Sequence, residues 1–308
     1  MVLVFGSINI DLVACVERFP IAGETVAGRT FAVHPGGKGA NQALASARAG
    51  ATTRLAGAVG HDAFAAPALA LLTEAGVDLA CVACVDEATG CATILVSDAG
   101  ENMIVSVPGA NAWADPDAIP DRLLVPSSTV SLQHEIPVAA NHALIERARR
   151  GGSRIVLNAS PWRTLSLDTL RSIDCLIVNE SEAAALATAF GWPTRPQDLA
   201  LAAASAVEDL TIVVTSGSQG ALAARGRELL RVRAPSVDAI DTTGAGDAFS
   251  GTFIALLDMN ATLPEALRRA VAAGSLACTA PGAQPSFPYP PAVDAILDRV
   301  GPVESQCS

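Results

Sequence analysis

Short, nearly unbroken apolar runs rich in β-branched residues recur along the chain: "VLVFGSI" at 2–8, "TRLAGAVG" at 53–60, "TVSLQ" at 129–133, "RIVLNAS" at 154–160, "CLIVNE" at 175–180 and "TIVVTSG" at 211–217. Alanine-rich stretches of helical character lie between or after them, at 38–50, 62–75, 138–150, 181–189, 197–208, 246–258 and 264–278. Strands that are apolar on both faces and separated by helices predict a mostly parallel sheet covered on each side. The expected fold class is therefore α/β, with one main domain of three layers, α/β/α.

Two segments break this rhythm. Residues 12–33 show strand-like alternation and turn signals but little helix, and residues 90–111 read as a hairpin of two β runs joined through Asp98–Asn102. Together they predict either a small separate sheet beside the main one or an edge meander of it. The tail beyond about residue 300 is expected to be loose.

Composition narrows the partners. Half of the 308 residues are hydrophobic and only 17% are charged, which suits a compact globular protein. A formal net charge of −11 argues against nucleic acid, whose phosphates reward clustered Lys and Arg. No apolar run approaches the roughly 20 residues that cross a bilayer, so no membrane partner is expected. The start "MVLVFGSINIDL" lacks a basic leader and reads as a first strand, so a cytoplasmic location is expected. Seven cysteines are scattered at 15, 81, 84, 91, 175, 278 and 307. Cys81-x-x-Cys84 lies in an apolar context without a nearby histidine, so buried reduced thiols are expected there rather than a zinc or redox site.

The polar clusters all fall just past strand ends, where parallel sheets bind their ligands. Asn9 and Asp11 in "GSINID" alternate onto one face and suit adjacent sugar hydroxyls, or else form a turn that ends the strand. In "HPGGKGANQALASA" the glycines, including Gly37, permit close backbone approach, and Lys38 and Asn41 can grip hydroxyls; a plain glycine-rich helix entry is the alternative. Glu135 in "SLQHEIP" is either a cleft residue or an exposed helix-start acid. In "NESEA", again at a strand end, Glu180 and Glu182 lie at a helix start, where acids are ordinarily capping residues, and they also suit a hydrated Mg²⁺. The small-residue turn "TSGSQG" at 215–220 can hold phosphates or merely reverse the chain.

The stretch "DTTGAGDAFSG" at 241–251 changes the weighting. Backbone N–H groups at Gly244, Ala245 and Gly246, ahead of a helix, form a nest for developing phosphoryl charge. Asp247 beside them can accept a proton from an attacking hydroxyl. The expected chemistry is phosphoryl transfer to an alcohol.

"GSINID", "AGETVAG", "GGKGANQA", "GENMIVSVPGAN", "NESEA", "TSGSQG", "DTTGAGDAFSG" and "GAQPS" occur in order over nearly the whole chain. Together they resemble the signatures of the ribokinase-like (PfkB-type) carbohydrate kinases. The resemblance implies a main α/β domain with a β-sheet lid formed by segments 12–33 and 90–111. It implies ATP-dependent phosphorylation of the primary 5-hydroxyl of D-ribose. Sister activities on a nucleoside, 2-deoxyribose or fructose are the alternatives, and a non-catalytic sugar-binding protein is a further one. Carried over by position, Asp247 is the base and Gly244, Ala245 and Gly246 form the anion hole. Asn9, Asp11, Gly37, Lys38, Asn41 and Glu135 hold the sugar. Asn179, Thr215, Ser216, Gly217, Ser218, Gln219 and Gly220 line the ATP site together with Gly246, and Glu182 acts on Mg²⁺ through water. A monovalent cation, K⁺, falls to Asp241, Thr243, Ala277, Ala280, Gly282 and Ser286, although Ala280-Pro281 departs from the basic pair common before that glycine. Val271 stands where the adenine pocket commonly has a polar residue, so loose base selectivity is expected. The lid sheets of such kinases can pair into homodimers, with which the apolar run "ATILVS" at 92–97 is compatible.

Overall fold

The computed structural model of the protein describes residues 1–307. Ten strands form the main sheet, in the order Glu304–Cys307, Glu228–Val232, Ala221–Arg225, Thr211–Thr215, Cys175–Asn179, Arg154–Asn158, Thr129–Leu132, Val2–Phe5, Thr53–Gly60 and Asp78–Val85. Thr211–Thr215 through Asp78–Val85 pair in parallel, and the three strands beyond Thr211–Thr215 are antiparallel. All six strands expected from the apolar runs are present within this sheet.

Alternation along the first strand, an interior strand of the sheet, divides the interior into two cores. Val2 and Val4 join the cluster beneath the helices Lys38–Arg48, Ala245–Asp258 and Leu263–Ala277, while Leu3 and Phe5 join the one beneath Val138–Gly151, Glu180–Phe190 and Pro196–Ala206. All four side chains are fully buried, each worth roughly 1.5–3 kcal/mol relative to exposure. The three-layer arrangement follows from this, because a strand apolar on both faces needs a helical layer on each.

A second, four-stranded sheet stands apart in the order Gly28–Gly36, Asn9–Val16, Gly90–Ser97 and Asn102–Val107. It uses the two segments that broke the helical rhythm, so the edge-meander alternative is set aside. Gly90–Ser97 and Asn102–Val107 pair as the expected antiparallel hairpin. Its turn is closed by Ser97 N–H donating to Glu101 O (2.9 Å) and Gly100 N–H to Ser97 O (2.9 Å).

Two expectations are corrected. The tail is not loose through residue 307: Glu304–Cys307 adds an edge strand to Glu228–Arg231. The backbone ladder supplies the order there, which hydrophobic patterning does not register. Nor are Cys81 and Cys84 both buried. They lie on the strand Asp78–Val85 three residues apart, so the pleat turns them to opposite faces; Cys81 is buried, whereas Cys84 is exposed with its Sγ 3.1 Å from His61 Nδ1. No helix among the described residues is long and apolar enough to cross a membrane.

Candidate active site

The first strand stops at Phe5, and after Gly6–Ile8 the chain enters the second sheet at Asn9. Asn9 and Asp11 therefore sit on the opening residues of the second sheet, on one face of it, rather than at the end of the first strand. Asn9 is no turn former. Its Oδ1 accepts from Asn111 Nδ2 at 2.7 Å, and Asn111 also accepts from Ile8 N–H (2.8 Å) and donates to Ile8 O (3.2 Å).

Gly37 brings the helix Lys38–Arg48 against this junction. Its φ is +87°, and a Cβ there would lie 2.8 Å from Asn9 N and 2.9 Å from Ser7 O, so only glycine permits the approach. Ala40 N–H then donates to Ser7 O at 2.8 Å. Glu135, arriving from the far side of the first strand, is half-buried in the same cleft. Its Oε2 accepts from Ser7 Oγ (2.5 Å) and from the backbone N–H of Lys38 (3.0 Å), which decides against an exposed helix-start acid.

Charge is concentrated here. Burial, followed by the nearby carboxylates of Glu135 and Asp247, pushes Asp11 up to about 6. The Lys38 ammonium is held above its ordinary value chiefly by Asp247, against the opposing effect of burial, with Glu135 and Glu182 adding. One cation thus balances a cleft of carboxylates drawn from four separate parts of the chain.

Asp247 occupies the first turn of Ala245–Asp258 and is only 6% exposed. Asn41 Nδ2 donates to its Oδ2 at 2.9 Å and Gln42 Nε2 to its Oδ1 at 3.0 Å. The helix begins after Gly244, which has φ +76°; a Cβ on it would strike Ala283 Cβ at 2.6 Å. Asn41 Oδ1 is buried with no partner in the protein, an acceptor suited to a ligand hydroxyl.

On the other side of this helix start lies a cavity of about 500 Å³. Thr215 and Gly217–Gly220 form one wall, Thr242, Ala245 and Gly246 another, and Val271 with Phe249 supplies apolar lining. The structure thereby brings "TSGSQG" and "TTGAGD" together around one space. Ser216 instead faces a neighbouring cavity of about 260 Å³ that Glu180 also lines. Asn179 and Glu182 form a reciprocal cap: Glu182 N–H donates to Asn179 Oδ1 (2.9 Å) and Asn179 N–H to Glu182 Oε2 (2.8 Å). Their capping role is real, yet Glu182 is close enough to contribute to the field on Lys38.

Asp241 ties two loops together, its Oδ1 accepting Thr243 N–H (2.9 Å) and its Oδ2 accepting Gly282 N–H (2.8 Å). Burial opposes its ionisation, but these bonds, with His34 adding, hold the carboxyl below the usual range. Ser286 Oγ donates to Ala283 O at 2.8 Å, Ala277 is buried and Ala280 half-buried. A carboxylate, a hydroxyl and the carbonyls of these loops are hard oxygen donors, suited to an alkali cation.

Sequence reasoning missed Ser7, Gln42, Asn111, Ser131, Gln133 and Asn158, all buried and polar. Gln42 and Asn111 lay inside quoted motifs, but a buried amide gains a role only from partners distant in sequence.

A family model described as pfkB family carbohydrate kinase matches residues 1–290. The chain is 36% identical over 302 residues to a ribokinase of Lactococcus lactis subsp. lactis (strain IL1403), covering 97% of each protein. It is 32% identical over 295 residues to a deoxyribokinase of Salmonella typhi, covering 93% of this chain and 95% of that one. Among solved structures, Arabidopsis thaliana ribokinase complexed with ribose and ATP is similar with a TM-score of 0.86 and 32% identity, over 96% of this chain and 98% of the other. The chain belongs to the pfkB family of carbohydrate kinases.

Proposed function

We propose that this kinase transfers the γ-phosphoryl group of ATP to the primary 5-hydroxyl of D-ribose. The observation that carries the reading is the position of Asp247. It lies at a helix start between the 500 Å³ cavity and the cleft of Asn9, Asp11, Lys38, Asn41 and Glu135. Asp11 and Asn9 with the unpartnered Oδ1 of Asn41 suit a sugar with vicinal hydroxyls, and the structural neighbour bound to ribose and ATP supports that acceptor.

Asp247 accepts the proton of the primary hydroxyl as the oxygen attacks, and the N–H groups of Gly244, Ala245 and Gly246 receive the charge that develops on the phosphoryl oxygens. Lys38 offsets the negative charge gathered in the cleft. Thr215 and the turn 216–220 hold the nucleotide with Asn179, while the apolar Val271 leaves selection of the base loose. Glu182 would hold Mg²⁺ through water, and the ion would supply charge neutralisation to the phosphates. Asp241, Thr243, Ala277, Ala280, Gly282 and Ser286 would hold K⁺, which would supply positive charge beside the anion hole. The second sheet acts as a lid that excludes water as a competing acceptor.

The outer face of that sheet leaves Phe31, Met103, Val105 and Val107 exposed, and pairing of two copies through it would cover them. Sedimentation of the wild type and of Val105→Lys tests this: a dimer that the substitution splits supports it, and a wild-type monomer excludes it. The activity is tested by ADP release from Mg-ATP with ribose, 2-deoxyribose, fructose and several nucleosides, each with and without K⁺. A ribose signal enhanced by K⁺ is expected. A dominant signal from another acceptor moves the substrate and keeps the mechanism, and silence across the panel refutes the kinase reading.

A further inference from the structure

Gln42 is fully buried, and its side-chain amide uses its whole hydrogen-bonding capacity. The Nε2 group donates to Asp247 Oδ1 (3.0 Å) and to Asn158 Oδ1 (3.0 Å), while Oε1 accepts from Ser131 Oγ (3.2 Å) and Gln133 Nε2 (2.8 Å). The polarity of this amide is not free. Asn158 donates its own Nδ2 to Ile177 O at 3.2 Å, which leaves its Oδ1 as the atom facing Gln42. Gln133 likewise presents its NH₂ group, which also donates to Ser131 Oγ at 3.2 Å. Turning the Gln42 amide over would set its oxygen against two oxygens and its NH₂ against another NH₂. A main-chain carbonyl of the central sheet thus fixes Asn158, Asn158 fixes Gln42, and Gln42 aims an N–H at one oxygen of Asp247. Asn41 holds the other oxygen.

We infer that Gln42 is a positioning residue for the phosphoryl transfer: its polarity-locked amide fixes the carboxylate plane of Asp247 and leaves that carboxylate's remaining lone pairs for the acceptor hydroxyl. The inference rests on the reading of Asp247 as the base. Such a role acts on the chemical step and leaves the affinity for sugar and ATP largely alone, because none of the network beyond Asp247 belongs to the cleft residues assigned to either substrate. A reacting group displaced by about 1 Å costs on the order of 10²-fold in rate.

The test is steady-state kinetics of the full chain from pH 5.5 to 8.5 for Gln42→Glu, Asn158→Ala and Asp247→Asn, each relative to wild type at the same pH. Gln42→Glu keeps the shape but puts an acceptor where Asp247 needs a donor. Its kcat is expected to fall about 10²-fold at high pH. Both KM values should stay within about threefold, and the deficit should shrink on acidification as the introduced carboxyl gains a proton and donates again. A merely structural role would give a deficit without that pH trend, and this result overturns the inference. Asn158→Ala releases the lock from one residue further away, so it reads the inference even where Gln42→Glu does not fold. It should lower kcat about tenfold at unchanged KM, as loss of one buried hydrogen bond allows, and an unchanged kcat overturns the inference. Substantial turnover by Asp247→Asn removes the base reading and the positioning role with it. A dead Asp247→Asn beside a fully active Gln42→Glu removes the positioning role alone.

Discussion

Asn41 and Asp247 are 206 residues apart in sequence and share a buried hydrogen bond of 2.9 Å, from Asn41 Nδ2 to Asp247 Oδ2. The same amide leaves Oδ1 buried and without a protein partner, free on the proposed reading for a sugar hydroxyl. One side chain therefore spans the acceptor pocket and the proposed base. Replacing it by Ala leaves a buried carboxylate oxygen short of a donor, a loss of about 1–3 kcal/mol. We expect kcat/KM for the sugar to fall roughly 10- to 100-fold by that cost, with kcat and KM both affected, as steady-state kinetics will measure. An unchanged sugar KM would place Oδ1 outside the acceptor site.

Asp247→Asn keeps the shape of the site and removes proton acceptance. Its kcat should drop by about 10²–10⁴-fold, while sugar binding measured by calorimetry stays near the wild-type value. Turnover within tenfold of wild type at saturating substrates rules out Asp247 as the base.

Asp11 yields a pH prediction with a definite sign. Its carboxyl titrates near 6 in the folded chain against an ordinary value of 3.8, so the folded state holds the proton more tightly. Ionised Asp11 therefore costs stability, fully above about pH 6 and not at all below about pH 3.8. Asp11→Asn should raise the unliganded Tm at pH 7.5 and have much less effect at pH 4. Sugar hydroxyls donating to Asp11 favour the ionised form, so sugar affinity should weaken as pH falls through 6, and the Asn variant should lose that dependence. A Tm gain that is equal at both pH values would contradict the assignment.

Gly37→Ala forces a side chain onto a backbone at φ +87° and into Asn9 N and Ser7 O. Strain of this kind costs about 1–3 kcal/mol. Thermal melting should show the loss directly. Because the displaced atoms belong to the Ser7–Asn9 junction, the sugar KM should rise more than the ATP KM. Equal effects on the two would mean that the junction relaxes without moving Asn9.

The two-faced apolar strands were legible because each must be buried on both sides, and that constraint is written in consecutive residues such as Val2–Phe5. Ala221–Arg225 and Glu228–Val232 were not, since they are antiparallel strands of only five residues, one ended by Arg225 and the other interrupted by Arg231. Asp78–Val85 went unassigned because it is an edge strand built largely of alanines and cysteines, which β-propensity marks weakly. In the site, candidate residues were singled out wherever a glycine turn or a helix start advertised them. Gln42 stood at such a helix start and Asn158 at a strand end, but a lone buried amide gives no sign of its partners. Their importance comes from matching donors to acceptors across three strands and two helices, an arrangement that exists only after folding.

The handover at Gly6–Ile8 has a thermodynamic consequence. The first strand belongs to the main sheet, yet after three intervening residues Asn9, and then Asp11, already belong to the other, while Lys38, Asn41 and Asp247 stay with the main one. On the proposed reading, a sugar held by both sets is itself the clasp between the two sheets. Occupancy and closure are then one equilibrium viewed from two sides. An acceptor analogue that cannot reach Asp11 would forfeit more than a contact, since the sheets it leaves unjoined would still be ajar when the nucleotide is ready.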